Sequence, residues 1–206
     1  MIVKKFLTGI FQVNTYLIAD EETKEAVLID LGGNFDSVYK EIQKDGLNLK
    51  YILNTHGHFD HISGEKEAQD KANIPVYIHE NDKFLVDSLE MALVSHGFPV
   101  VKPPEITGYI DESSYLKIGN IPIKVIETPG HSKGSVCFLA QNSLFSGDTL
   151  FLESIGRTDL IGGDFEEIKN SVLNKLLTLP EDTIVYPGHD DSTTIARERV
   201  YNYLVR

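Results

Sequence analysis

Three imidazoles and a carboxylate fall within the seven residues Thr55-His56-Gly57-His58-Phe59-Asp60-His61, directly after the apolar run Tyr51-Ile52-Leu53. No amphipathic helix gains by crowding so many titratable rings together, and imidazole nitrogen with carboxylate oxygen is the ligand chemistry of zinc, iron and manganese. We read the stretch as the floor of a two-metal site. His56 and His58 stand two apart, so on an extended segment leaving a strand they project to the same side and can clasp one ion. Asp60 and His61 follow where a helical pattern begins and turn toward a second position. Three isolated residues complete the set, each at the end of a strand-like run: His131 after Thr128-Pro129-Gly130, Asp148 after Ser146-Gly147, and His189 after Tyr186-Pro187-Gly188. A glycine precedes each of the three, permitting an unusual turn and a close approach of backbone to metal. The candidate ligands are therefore His56, His58, Asp60, His61, His131, Asp148 and His189, for two divalent ions read as zinc, with iron or manganese as alternatives.

The rest of the chain narrows the class. At 206 residues, with 41% hydrophobic and 24% charged side chains, it reads as a globular protein able to bury a sheet-based core. No apolar run is long enough to cross a bilayer, so no membrane partner is expected. Met1-Ile2-Val3-Lys4-Lys5 leads straight into a strand-like pattern, unlike a secretory signal. Cys137 is the single cysteine, so an intrachain disulfide is impossible and a cytoplasmic location is expected. Its neighbours Val136, Phe138 and Leu139 make it a core residue rather than a nucleophile. A formal charge of −12 argues against nucleic acid as a partner. It leaves room for an anionic substrate, because the charge of bound divalent ions dominates their surroundings.

Hydrophobic patterning places strands over residues 2–7, 15–19, 25–30 and 50–54, the second and third joined by the polar turn 20–24. Phe35, Val38, Tyr39, Ile42 and Leu47 recur at helical spacing, with Gly46 where a C-cap belongs. A helix over 62–72, a strand at 74–78 and a helical region over 80–94 follow, and the Pro-rich segment 96–108 reads as a loop. Strands return at 115–118, 121–127, 135–140 and 143–145, then a helix over 165–179, a strand at 183–186 and a terminal helix over 194–204. The two halves echo each other, strands first and then helix alternating with strand, without a Pro- or Ser-rich linker. One αββα-like layered domain accounts for this pattern. Leu31-Gly32-Gly33 lacks the spaced glycines of a dinucleotide loop. Asp30, just before it, reads equally well as a supporting residue of the metal site and as a plain strand-end turn residue.

The ordered set of seven resembles the metallo-β-lactamase superfamily, whose pattern is His-x-His-x-Asp-His followed by a lone His, a lone Asp and a lone His. The resemblance implies an α/β, αββα four-layer sandwich with the site at the sheet edge. It also implies that His56, His58 and His131 hold one ion, that Asp60, His61 and His189 hold the other, and that Asp148 bridges them. Class B β-lactamases commonly lack a ligand at the position of His61, so β-lactamase activity is not expected. Thr128–Ser135, Ser146–Phe151 and Gly156-Arg157-Thr158-Asp159-Leu160 are similar to the glyoxalase II branch, in its short, single-domain bacterial form. Full-length members continue into a helical domain that supplies basic residues for glutathione. This chain ends at Arg206, so a single domain over 1–206 without that addition is expected.

The activity so implied is hydrolysis of a small-molecule thioester, such as a 2-hydroxyacyl thiol of the S-lactoylglutathione kind, by a hydroxide shared between two metals. Asp60 and Asp148 are the catalytic carboxylates, Asp60 orienting the hydroxide. Arg157 is a candidate substrate contact, because its planar fork suits a carboxylate, with a surface ion pair to Asp159 or Asp164 as the plainer alternative. His79, at a strand end, is a second candidate contact, and His96 is expected outside the site. The rival reading is a persulfide dioxygenase of the same superfamily, holding one ferrous ion by His56, His131 and Asp148. The sequence leaves the oligomeric state open.

Overall fold

The computed structural model describes all residues, Met1–Arg206. The first half builds a six-stranded sheet from β1 (Ile2–Thr8), β2 (Val13–Ala19), β3 (Glu25–Ile29), β4 (Asn48–Leu53), β5 (Val76–Ile78) and β6 (Gly108–Tyr109), paired in that order. The strands β1, β2 and β3 form an antiparallel meander, after which β3 to β6 run parallel. Helices α1 (Phe35–Lys44), α2 (Phe59–Ile62), α3 (Glu65–Ala72), α4 (Lys83–Asp87) and α5 (Leu89–Ser95) fill the connections. The second half adds β7 (Leu116–Ile118), β8 (Ile121–Glu127), β9 (Val136–Ala140), β10 (Ser143–Gly147), the small hairpin β11 (Leu150–Phe151) and β12 (Ser154–Ile155), β13 (Ile184–Pro187) and β14 (Thr193–Thr194). Its six-stranded sheet has the order β14-β13-β10-β9-β8-β7, covered by α6 (Phe165–Asn174) and α7 (Ile195–Tyr201).

Side-chain alternation along the strands makes the layers. Tyr16 and Ile18 of β2 and Val27 and Ile29 of β3 face one core, while Leu17, Ala19, Ala26 and Leu28 face another that contains Phe35, Val38 and Ile42 of α1. In the second sheet Val136, Phe138 and Ala140 share the first of these cores, and Cys137 points the other way onto Ile168 and Val172 of α6. The middle core lies between the two sheets and each outer core lies between a sheet and its helices, which is the αββα order. Leaving any one of Phe35, Phe138 or Phe145 in water instead would forgo about 1.5–3 kcal/mol, and all three are fully buried.

The structure departs from the sequence reading at several element ends. The helix expected over 62–72 is two helices broken at Ser63 and Gly64, because the Gly64 amide leaves the helical ladder to donate to the Leu31 carbonyl at 2.8 Å. Residues 80–94 split into a 3₁₀ turn, α4 and α5, and 3₁₀ turns at Leu176–Thr178 and Tyr203–Val205 likewise replace the ends of the expected helices. The strands β6, β11, β12 and β14 have two residues each, too short for any period-2 pattern to show.

Candidate metal centre

Every chemistry-bearing segment leaves the C-terminal end of a strand, on one edge of the two sheets. The histidine stretch follows β4, His131 follows β8, Asp148 follows β10 and His189 follows β13. Because β8 is antiparallel to β9, β9 to β10, and β10 is parallel to β13, the last three strands all end at the same edge. Hydrogen bonds stitch the sheets together there. The Asn14 amide donates to the Gly188 carbonyl at 2.8 Å, the Tyr16 hydroxyl to the Pro187 carbonyl at 2.8 Å, and the Val136 amide to the Thr55 carbonyl at 2.8 Å.

Two glycines matter for close approach. A Cβ at Gly188 would collide with the Asp148 carboxylate and the His61 ring, and one at Gly147, whose φ is +49°, would collide with the Thr55 side chain. These contacts let the loops carrying Asp148 and His189 press onto the histidine stretch.

The seven side chains converge. Ligand atoms of His56, His58 and His131 lie within 4.8 Å of one another, as do those of Asp60, His61 and His189, and those of His56, His61 and Asp148. Asp148 stands between the first two trios: Oδ1 is 3.4 Å from His61 Nε2, while Oδ2 is 3.6 Å from His131 Nε2 and 3.7 Å from His189 Nε2. Asp60 Oδ2 lies 3.4 Å from His189 Nε2 and 3.9 Å from His61 Nε2.

Neighbouring groups fix how the rings are turned. His61 Nδ1 donates to Asp30 Oδ2 at 2.8 Å, and the Thr55 hydroxyl and amide also donate to Asp30, each at 2.8 Å. With its hydroxyl proton so used, Thr55 Oγ1 accepts from His56 Nδ1 at 3.0 Å. His131 Nδ1 donates to the Arg157 carbonyl at 2.8 Å. All three rings therefore turn Nε2 toward the shared space, the outer hydrogen bonding that orients metal-bound histidine. Asp30, left open between two roles by the sequence, is a ring-orienting residue.

A second buried carboxylate was invisible in the sequence. Asp82, fully buried just before α4, accepts from the Gly57 amide at 2.9 Å, the Gly134 amide at 2.7 Å and the Ser132 hydroxyl at 2.6 Å. It ties the loop of His56 and His58 to the loop of His131. An acidic residue opening a helix is ordinary, so no local signal separated it from its neighbours.

Burial and charge set the two trios apart. Burial, reinforced by the surrounding rings, pushes His56 well below its ordinary range, and burial with His131 alongside takes His58 down to about 3. Burial opposes charge on His61 as well, yet the carboxylates of Asp148, Asp60 and Asp30 outweigh it and hold the ring well above its usual value. His189 is raised in the same way against burial, by Asp60 and Asp148. Both aspartates stay below the ordinary carboxylate range, since His61 and the neighbouring rings overcome the burial that would protonate them.

The donor set fits a pair of divalent ions. His56 Nε2, His61 Nε2 and Asp148 Oδ1 are buried without a hydrogen-bond partner. A buried polar group left unpaired costs about 1–3 kcal/mol, and three such atoms facing one space are what a coordinated ion resolves.

The Arg157 guanidinium does not reach the seven. It is exposed and forms a bidentate pair with Asp159 at 2.6 and 2.7 Å, the plainer of the two sequence readings, and the residue serves the site through its carbonyl. His79 is also apart from them. It lines a separate polar cavity of about 430 Å³ with Asn81, Glu127, Lys133 and Glu167, and its Nε2 lies 3.4 Å from Glu127 Oε1. His96 packs at a tilt against Phe59 outside the centre, at a ring distance of 5.0 Å.

Residues 8–189 match the profile of the metallo-beta-lactamase superfamily. The chain belongs to that superfamily. Across 97% of the chain and 98% of the other protein, the fold matches the structure of TTHA1623 in a di-iron-bound form, with a TM-score of 0.89 and 36% identity. It matches the BLEG-1 B3 metallo-beta-lactamase structure with a TM-score of 0.91 and 38% identity over 99% of each chain. Among curated relatives, the hydroxyacylglutathione hydrolase GloC of Haemophilus influenzae is 36% identical, covering 93% of this chain and 92% of that protein. Superfamily membership makes the αββα layering a shared property and the chain a metal-dependent enzyme of the metallo-hydrolase kind, binding divalent metal.

Proposed function

We propose that the protein is a dinuclear metal-dependent thioesterase acting on 2-hydroxyacyl thioesters. The three buried, partnerless ligand atoms that meet between the two trios carry the reading. His56, His58 and His131 would hold one ion and Asp60, His61 and His189 the other, with the Asp148 carboxylate, which lies near both trios, available to both. Zinc suits this donor set, and so does iron, the metal in the TTHA1623 structure. When bound, such a pair of ions acidifies water toward neutrality and polarises a carbonyl.

The side chains supply the rest. Asp60 Oδ2 faces the space shared with His189 and His61, is kept ionised by those rings, and is placed to accept a proton from the attacking water and align it. Asp148, ionised for the same reason, lies between the rings of both trios. In the reaction a C–O bond forms at the acyl carbon, the C–S bond breaks, and the products are a carboxylate, a thiol and a proton in balance with one water. No side-chain nucleophile competes. Cys137 is fully buried with its thiol pushed up to about 12 by that burial, and Ser132 and Ser135 are bonded to Asp82 and to each other. Support for the thioester as substrate comes from GloC and from the runs Thr128–Ser135 and Ser146–Phe151.

Assays of the metal-loaded protein with S-lactoylglutathione, glutathione persulfide and a chromogenic cephalosporin test the reading. Thioester cleavage without oxygen is expected. Oxygen-dependent persulfide turnover or cephalosporin opening as the sole activity would overturn it.

A further inference from the structure

Beside the metal centre lies a second feature that the thioesterase reading leaves unused. The turn joining β1 to β2, the start of α2 and the segment after α5 enclose a groove of about 370 Å³, within the range of small-ligand sites. Its apolar lining comes from Ile10, Phe11, Phe59, Leu93, Phe98 and Val101, and Asp60 of the metal centre forms part of its wall. Three aromatic contacts shape it: Phe11 meets Phe59 edge-on at 5.5 Å and Phe98 edge-on at 5.1 Å, and Phe59 stacks with Phe98 at 6.2 Å. Ile10 is nevertheless 63% exposed and Phe11 44% exposed, so apolar surface stands in water at the mouth of the site.

The charge around the groove says what it takes. No lysine, arginine or histidine lines it; its two charged residues are Asp60 and Glu67, and Glu67 is paired with Lys71 at 2.6 Å. A carboxylate-bearing group such as glutathione meets only negative charge there. Lys133, two residues after His131, lines instead the separate polar cavity that holds His79, and the Arg157 guanidinium is taken up by Asp159. The groove beside Asp60 therefore suits the uncharged end of a substrate.

We propose that this groove is the acyl-chain subsite, and that the natural substrate is a thioester whose acyl group is an uncharged apolar chain longer than lactoyl. The proposal rests on the thioesterase reading and specifies its substrate. The bond changes are those of the hydrolysis above; the groove contributes binding beside Asp60.

The test uses the metal-loaded enzyme with acetyl, butanoyl, hexanoyl and octanoyl thioesters of one small thiol, N-acetylcysteamine. The expected result is a kcat/KM that rises about fourfold per added methylene until the groove is filled, as burial of CH₂ groups predicts. Ile10→Asp and Phe11→Ser, both at exposed positions, are expected to collapse the octanoyl-to-acetyl ratio of kcat/KM toward one while metal content stays the same. Octanoate binding, followed by NMR on the same three proteins, reads the groove without turnover. Cleavage indifferent to acyl length would overturn the subsite and leave the thioesterase standing. Octanoate binding that needs Phe11, with no thioester cleaved at any length, would sustain the subsite and remove the thioesterase.

Discussion

The two halves of the metal centre share Asp148 but are built on opposite electrostatic plans. His56, His58 and His131 bring three imidazoles, with His56 and His58 held neutral by burial and by their neighbours. Asp60, His61 and His189 mix carboxylate with imidazole, and there the carboxylates hold both rings protonated more strongly than usual. The supports differ too. Asp30 grips rings, His61 directly and His56 through Thr55, whereas Asp82 grips backbone and a serine, fixing where two loops sit. The first half is thus ready for a cation as it stands, and the second must release protons to take one.

Removing the shared residue should have the largest effect. Asp148→Ala takes an oxygen from each half, and thioester hydrolysis is expected to fall by more than the roughly 10–100-fold typical of residues that only support a ligand. Metal analysis of the same protein should show both ions depleted. Full turnover by the metal-free variant would end the mechanism.

The supports come next. Asp30→Asn should weaken metal affinity by about 10–100-fold, because the ring orientation of His61 and His56 depends on it. Asp82→Asn replaces an acceptor of three hydrogen bonds with a group that brings N–H donors against amides. It is expected to lower thermal stability by about 1–3 kcal/mol, with a smaller loss of affinity than Asp30→Asn. Competition with a chromophoric zinc chelator and thermal melts separate the two, and equal effects of both variants on affinity would erase the contrast between rings and loops.

Acid should divide the halves. His61 and His189 are raised above the ordinary histidine value, so as pH falls toward that value they take up protons and lose their grip on metal, while His56 and His58, shifted down, still offer lone pairs. Dialysis at steps of decreasing pH is expected to strip one ion first, leaving the other on His56, His58 and His131. Simultaneous loss of both would contradict the electrostatic contrast.

The smallest effect belongs to Cys137→Ala. The thiol lies in the core under α6, so about 1 kcal/mol of stability is expected to go, with kcat/KM unchanged.

The sequence carried the αββα layering because burial on alternate strand faces writes itself into residue order, as Tyr16 and Ile18 against Leu17 and Ala19 illustrate. The seven converging residues were legible because imidazole and carboxylate clusters have few other uses. What stayed hidden depends on contacts made across the fold. Asp82 becomes a clamp only when Gly57 and Gly134, distant in sequence, close on it. Arg157 was noticed for its guanidinium, but its carbonyl is what turns His131, and a backbone group leaves no mark in a sequence. The break at Ser63 and Gly64 follows from an amide captured by Leu31, again from another element.

Elemental analysis of protein purified without chelator, combined with thioester assays in the presence and absence of oxygen, tests the central claim most directly. The account predicts close to two divalent ions per chain and thioester cleavage at the same rate in both atmospheres. A single iron per chain with oxygen consumed during turnover would contradict it.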